Sequence, residues 1–252
     1  MRRKFLFEYD MTFMTILSVV LFIIPSLVVY GYYLLTRGKT LNVVDSFFIK
    51  VFSDDISTSK MVLVYVIFIV IMFLWMVLHE IIHGIFYVYK GANKKNITFG
   101  AALEKGVFYC RCGEYVYKET VMTSLLAPFL IIGVITLFIG MLIHSYLLMI
   151  LSVINISGAA GDLAMFMFFL DQHDKNLRFI EFGDTLTFAI ESYEDLSQKH
   201  NKGVVFKKEV FNENELPVND NSKKISISAG SYVIVFIFIL IIAILVSLAY
   251  FL

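Results

Sequence analysis

The chain has few charged residues and very few cysteines for its length. Of its 252 residues, 17% are charged and 59% are hydrophobic, a balance that excludes an ordinary soluble domain and indicates several membrane-spanning segments. The 21 basic and 21 acidic residues give a net charge of zero, so no nucleic-acid partner is expected. The only two cysteines, Cys110 and Cys112, argue against a disulfide scaffold.

Five apolar runs are long enough to cross a bilayer as helices, at about 20 residues each. Because lipid cannot satisfy a bare backbone, helices are the expected form, and the sequence predicts an all-α membrane protein with about five transmembrane helices. Residues 97–118 mix β-branched, aromatic and glycine residues, which leaves two alternatives open, a short cytoplasmic β-hairpin or a plain loop. The five runs lie at 12–36, 61–89, 121–143, 146–170 and 229–252.

These runs divide the chain into four predicted parts. The parts are an N-terminal membrane anchor with an external loop (1–60), a three-helix core (61–170), a partly flexible cytoplasmic segment (171–228) and a C-terminal transmembrane helix (229–252).

The basic residues predict the orientation of the chain in the membrane. If the N-terminus is cytoplasmic, 17 of the 21 Lys and Arg residues fall on the cytoplasmic side, in agreement with the positive-inside rule.

The second run contains the sequence His79-Glu80-Ile81-Ile82-His83. Two histidines four residues apart lie on one face of a helix and can hold one zinc ion. The glutamate between them can act as a general base toward water. Glu80 is also the only formally charged side chain from residue 61 to residue 89. An acidic group inside a span costs roughly 2.5–3.5 kcal/mol, which makes it a functional-site hypothesis by default.

The other isolated charge is Asp162, the only charged residue between Glu119 and Asp171. In the predicted topology Asp162 and His79 differ in depth by only about 3 Å along the membrane normal. A catalytic zinc usually has three protein ligands, so Asp162 is predicted to be the third; the alternative is a neutral or hydrogen-bonded carboxyl at a helix interface. Asn155, two turns earlier, is predicted either to contact substrate or to make an interhelical hydrogen bond.

Other zinc patterns fit less well. A gluzincin would take Glu104 or Glu119 as its third ligand, and both lie in or beside the predicted cytoplasmic loop. Cys110 and Cys112 have one residue between them, too few for the usual two-cysteine zinc knuckle. The two cysteines are therefore predicted to be free thiols.

The motif HEIIH on one span, the β-like segment after it, and a later span with Asn155 and Asp162 resemble the site-2 protease class of intramembrane zinc metalloproteases. In that class a motif of the form N-x-x-P…L-D-G supplies the third ligand. The corresponding stretch here, NISGAAGD, lacks the proline and has Gly161 and Leu163 in place of the leucine and glycine. The segments HEIIHG, LLAPFL and the Gly-Asp pair are also similar to an uncharacterised bacterial family of membrane zincin peptidases.

This resemblance covers roughly residues 61–170. It implies a zinc-dependent intramembrane endopeptidase in a bacterial cell membrane, with the N-terminus cytoplasmic. The expected partners are the lipid bilayer and a membrane-protein or peptide substrate. The rival hypothesis is a non-catalytic membrane protein, either a metal-dependent carrier or a former protease that binds a membrane partner, and the presence of a base beside the ligands favours catalysis. The implied roles are zinc ligand for His79, His83 and Asp162, general base for Glu80, and substrate contact for Asn155.

Overall fold

The computed structural model describes most of the chain before residue 213. The predicted C-terminal transmembrane helix at 229–252 lies outside the described residues. The described residues are 2–36, 58–102, 107–182, 187–197, 203–212, 216–217 and 225–226.

The four described apolar runs are helical. Three continuous stretches are long and apolar enough to cross a membrane, Met11–Thr36, Tyr65–Tyr89 and Lys118–Leu142. A bent pair of helices at the fourth run, with a 49° angle between them, would add a fourth span. These stretches indicate a membrane protein. The helices are α1 (Met11–Thr36), α2 (Thr58–Tyr89), α3 (Lys118–Pro128), α4 (Thr136–Leu142), α5 (Tyr146–Gly158) and α6 (Ala160–Leu170), and a π-helical segment (Phe129–Ile135) joins α3 to α4.

The prediction of an all-α protein is wrong, because the structure also contains two antiparallel sheets. The eight strands among the described residues have two to seven residues each, and they lie outside the helices that are long and apolar enough to cross a membrane. The strands are β1 (Arg3–Tyr9), β2 (Ile97–Ala102), β3 (Val107–Cys112), β4 (Val116–Tyr117), β5 (Arg178–Phe182), β6 (Thr187–Ser192), β7 (Val204–Val210) and β8 (Ile225–Ser226).

The larger sheet has five strands in the order β4-β5-β6-β1-β7. Its strand β1 lies within the predicted N-terminal membrane anchor (1–60), where no strand was predicted. In the structure Phe5 and Phe7 are buried in one apolar cluster, and Leu6, which lies between them, is buried in another. Because successive side chains of a strand point to opposite faces, both faces of β1 carry apolar residues at its centre. Phe7 lies opposite Phe188 of β6, and Lys4 lies opposite Glu191.

The smaller sheet has three strands in the order β3-β2-β8. Strands β2 and β3 pair antiparallel, with Ile97 opposite Cys112 and Phe99 opposite Cys110. The β-hairpin alternative for this segment is therefore what the structure shows. Strand β8 adds to the other side of β2, so β2 is the central strand of this sheet.

By its contacts the chain divides into two units, and the first contains both sheets. Its aromatic core is formed by β1, β6 and α6, where Phe7 stacks on Phe188 and packs edge-on against Phe168. This packing ties α6, the helix that carries Asp162, to the centre of the larger sheet. The sheet unit comprises Met1–Ser18, Glu80–Pro128 and Ala159–Ala229.

The second unit is helical in its described part. Its α1 residues have no buried side chain, and large apolar residues such as Leu27 and Leu35 are exposed by 63% and 87%. A surface of this composition is expected to face lipid. The helical unit comprises Val19–His79, Phe129–Gly158 and Gly230–Leu252, so the division between the units falls inside the uninterrupted helix α2.

Candidate metal centre

Helix α2 presents the two histidines of the HEIIH motif one turn apart. A helical turn has a pitch of about 5.4 Å, so side chains four residues apart lie on one face. His79 and His83 are buried, with exposed fractions of 9% and 5%, whereas Glu80 between them is partly exposed. The motif therefore combines two buried imidazoles with a partly exposed glutamate.

Asp162, near the start of α6, faces the second histidine. Its Oδ2 lies 3.4 Å from Nε2 of His83. One nitrogen of each histidine and one oxygen of Asp162 all lie within 4.8 Å of one another. In the part of the chain that the structure describes, this is the one group of His, Cys, Asp or Glu residues with the spacing of a metal site.

The donor set and its spacing fit zinc. Bonds of about 2.0–2.2 Å at a tetrahedral angle place two zinc ligands about 3.3–3.6 Å apart, and the distance between His83 and Asp162 falls in that range. Two imidazoles and one carboxylate are also a known catalytic zinc set, which leaves a fourth position for water or substrate. The three residues predicted as ligands are thus brought together in the structure.

Each histidine ring is oriented by a hydrogen bond from its other nitrogen. His79 Nδ1 donates to Oδ1 of Asn155 at 2.9 Å. His83 Nδ1 donates to the carbonyl oxygen of Ser124 at 2.9 Å, and the Ser124 hydroxyl donates back to the His83 carbonyl at 3.0 Å. Such bonds fix the tautomer in which Nε2 carries the lone pair that binds a metal.

Asn155 is buried on α5, with an exposed fraction of 5%. Its amide oxygen is engaged with His79, which corresponds to the interhelical hydrogen bond that was one of its two predicted roles. A direct contact between Asn155 and substrate stays a prediction.

A third carboxylate near the centre was not found from the sequence. Glu181 on β5 is partly buried, its Oε1 accepts a hydrogen bond from the Tyr9 hydroxyl at 2.6 Å, and the charges of Asp162, His83 and Glu80 act on it. Burial raises the pKa of Glu181 to about 7, although the bond from Tyr9 lowers it. The sequence of β5 could have indicated that Glu181 is partly buried. Side chains two residues apart in a strand lie on the same face, so Glu181 shares a face with the core residue Phe179.

The cysteines do not take part in this centre. Cys110 and Cys112 are free, buried thiols of β3, as predicted. Burial raises the pKa of Cys112 to about 12 and that of Cys110 well above its usual value. Thiols of this kind are poor metal ligands and weak nucleophiles at neutral pH.

Comparison with known protein families identifies one match. Residues 72–177, which include the HEIIH motif, Asn155 and Asp162, match the model of a family described as "Putative zincin peptidase". No curated protein and no solved structure matches the chain. The family match supports zinc binding and peptidase activity as the function of the segment that contains the metal centre.

Proposed function

We propose that this protein is a zinc-dependent endopeptidase that hydrolyses peptide bonds of membrane-associated substrates from the cytoplasmic side. The observation that carries the proposal is the convergence of His79, His83 and Asp162, with Glu80 placed between the two histidines. Metal binding alone does not require a carboxylate beside the ligands, whereas peptide hydrolysis requires a base.

His79, His83 and Asp162 would hold the zinc ion. Zinc bound there supplies Lewis-acid polarisation of the scissile carbonyl and lowers the pKa of a coordinated water to about 7. The chain's own residues supply the proton transfers and the orientation of the ligands.

Glu80 is the proposed general base. Its carboxylate accepts a proton from the attacking water as the water oxygen forms its bond to the carbonyl carbon. The same group then delivers that proton to the amide nitrogen as the carbon–nitrogen bond breaks, which releases a carboxylic acid and an amine. The partial exposure of Glu80 and Asp162 fits this role, because water must reach both carboxylates.

Two features support an intramembrane, site-2 protease-like site. The HEIIH motif lies in Tyr65–Tyr89, a stretch apolar enough to cross a membrane. Asp162 lies in the bent pair formed by α5 and α6. The bias of Lys and Arg toward one set of segments supports a cytoplasmic N-terminus in a cell membrane.

The smaller sheet offers a means of holding an extended substrate. A helical substrate hides its carbonyl groups in its own hydrogen bonds, so it must be locally extended for cleavage. Strand β3 lies at the edge of the order β3-β2-β8, and the edge of a sheet can pair with an added strand. We propose that the substrate segment pairs there before cleavage.

The test is a comparison of membrane proteomes from cells that carry wild-type protein, Glu80→Gln or Glu119→Gln. Loss of a general base is expected to slow hydrolysis by about 10²–10⁴-fold, so an uncut membrane substrate should accumulate with Glu80→Gln. Glu119→Gln removes an exposed carboxylate on α3 and should behave as wild type. Identical cleavage in all three strains would reject the proposal and favour a non-catalytic carrier or former protease.

A further inference from the structure

The two histidines of the candidate centre are oriented by groups of different kinds. His83 donates to a backbone carbonyl, that of Ser124. His79 donates to a side chain, that of Asn155 on α5. A side-chain acceptor depends on how its own helix packs, so the orientation of His79 depends on the packing of α5.

The packing of α5 against the preceding helical segment is unusually close. An added Cβ on Gly133, in the π-helical segment, would lie 2.9 Å from Cγ1 of Ile156 and 3.3 Å from Nδ2 of Asn155. Both distances are shorter than ordinary van der Waals contact. Gly133 therefore leaves the space in which the Asn155 amide sits.

The rest of this helix pair is held by contacts that do not involve Asn155. One turn from Gly133, the Thr136 hydroxyl and the Ser152 hydroxyl are 2.7 Å apart, and both are buried. Two turns away, an added Cβ on Gly140 would lie 2.9 Å from Cγ of Met149. Gly140 thus allows a second close contact between the same two helical segments, at a distance from the Asn155 amide.

We infer that Asn155 is a positioning residue for the zinc centre and that Gly133 gives its amide the space to reach His79. This inference rests on the proposed zinc site and deepens it. The acceptor oxygen of Asn155 holds the His79 ring in the tautomer and rotation that turn Nε2 toward Asp162 and His83. The π-helical segment matters here because it determines which residue faces Asn155, and such segments are frequent at functional sites.

The test measures zinc affinity of the purified protein in detergent by competition with a chelating dye. Loss of an outer-shell partner typically weakens metal binding by about 10–100-fold. We expect a loss of this size for Asn155→Leu and a smaller loss for Gly133→Ala, which forces the amide to shift. Asn155→Asp keeps the acceptor oxygen and should restore affinity to near the wild-type value.

Gly140→Ala is the matched control. It crowds the same helix pair and, like Gly133→Ala, should lower the thermal stability of the metal-free protein. Its zinc affinity should stay within about twofold of wild type, a smaller change than the loss of an outer-shell partner causes. Wild-type affinity in Asn155→Leu, or equal zinc loss in the two glycine variants, would overturn the inference while the proposed function stands. A wild-type protein that binds no zinc would overturn both.

Discussion

At the scale of single residues, the candidate centre places three carboxylates within electrostatic range of one imidazole. Asp162 and Glu80 have roles in the proposed reaction, as ligand and base. Glu181 has none, and the negative charges of Asp162 and Glu80 act on it together with the cost of burial. A bound dication would offset this repulsion. Ionisation of Glu181 therefore costs more free energy in the metal-free protein than in the metal-bound protein.

The raised pKa of Glu181 predicts a pH dependence of stability. The pKa rises from 4.5 to about 7 on folding, so the folded state binds more protons than the unfolded state between these values. Stability is then highest below the lower value and falls as the pH rises through the upper one. Thermal unfolding of the metal-free protein should show this decline, and Glu181→Gln should flatten it.

Glu119→Gln is the control for the loss of one carboxylate, because Glu119 is exposed. It should leave the decline in stability unchanged. If Glu181→Gln shows the same decline as wild type between pH 4.5 and 7, then Glu181 does not titrate in that window and the account of its burial is wrong.

At the scale of elements, the larger sheet and the helix that carries Asp162 share one core. Phe7 of β1 is 1% exposed and lies 5.4 Å, between ring centroids, from Phe168 of α6. Strand β1 is bonded on both sides, to β6 and to β7. An N-terminal segment that looks like a span's basic flank therefore supports the position of a proposed zinc ligand.

We predict that Phe7→Ala lowers the free energy of unfolding by about 3–5 kcal/mol, because it empties a buried aromatic position. It should also weaken zinc binding, since α6 loses one of its aromatic contacts with the sheet. Denaturant unfolding and dye competition measure the two effects. Val205→Ala, on the edge strand β7 and 46% exposed, should change stability by no more than about 0.5 kcal/mol. Equal effects of the two variants would contradict this assignment of the core.

Much of this organisation could be predicted from the sequence, but of the two sheets only the pairing of β2 with β3 was, and only as one of two alternatives. The long apolar runs identify α1 and α2 because helix formation in lipid depends on local composition. Strand β1 escaped prediction because its pairing partners are remote in sequence, Lys4 with Glu191 for example. The acceptor for His83 is a backbone carbonyl of Ser124, a group that every residue has and that no motif can indicate.

At the scale of the whole molecule, the distribution of Lys and Arg predicts which side of the membrane each segment occupies. Segments 1–11, 90–120 and 171–228 hold 17 of the 21 basic residues, and 37–60 holds the other four. Basic residues are retained on the cytoplasmic side. The proposed centre would then open to the cytoplasm.

Reporter fusions test this topology. Alkaline phosphatase, which is active only outside the cytoplasm, should be active when fused after residue 57 and inactive when fused after residue 120 or 174. Replacing the basic residues Arg2, Arg3 and Lys4 with neutral ones should weaken the bias, since the first segment usually dominates orientation. The reverse pattern of activity would place the centre toward the outside.

The metal content of the purified protein shows directly whether His79, His83 and Asp162 hold one zinc ion. Mass spectrometry should find about one zinc per chain in wild type and in Glu80→Gln, because a catalytic site has three protein ligands and Glu80 is not one of them. His83→Ala and Asp162→Ala should lose the ion. A wild-type protein without zinc, or full zinc in Asp162→Ala, would contradict the account.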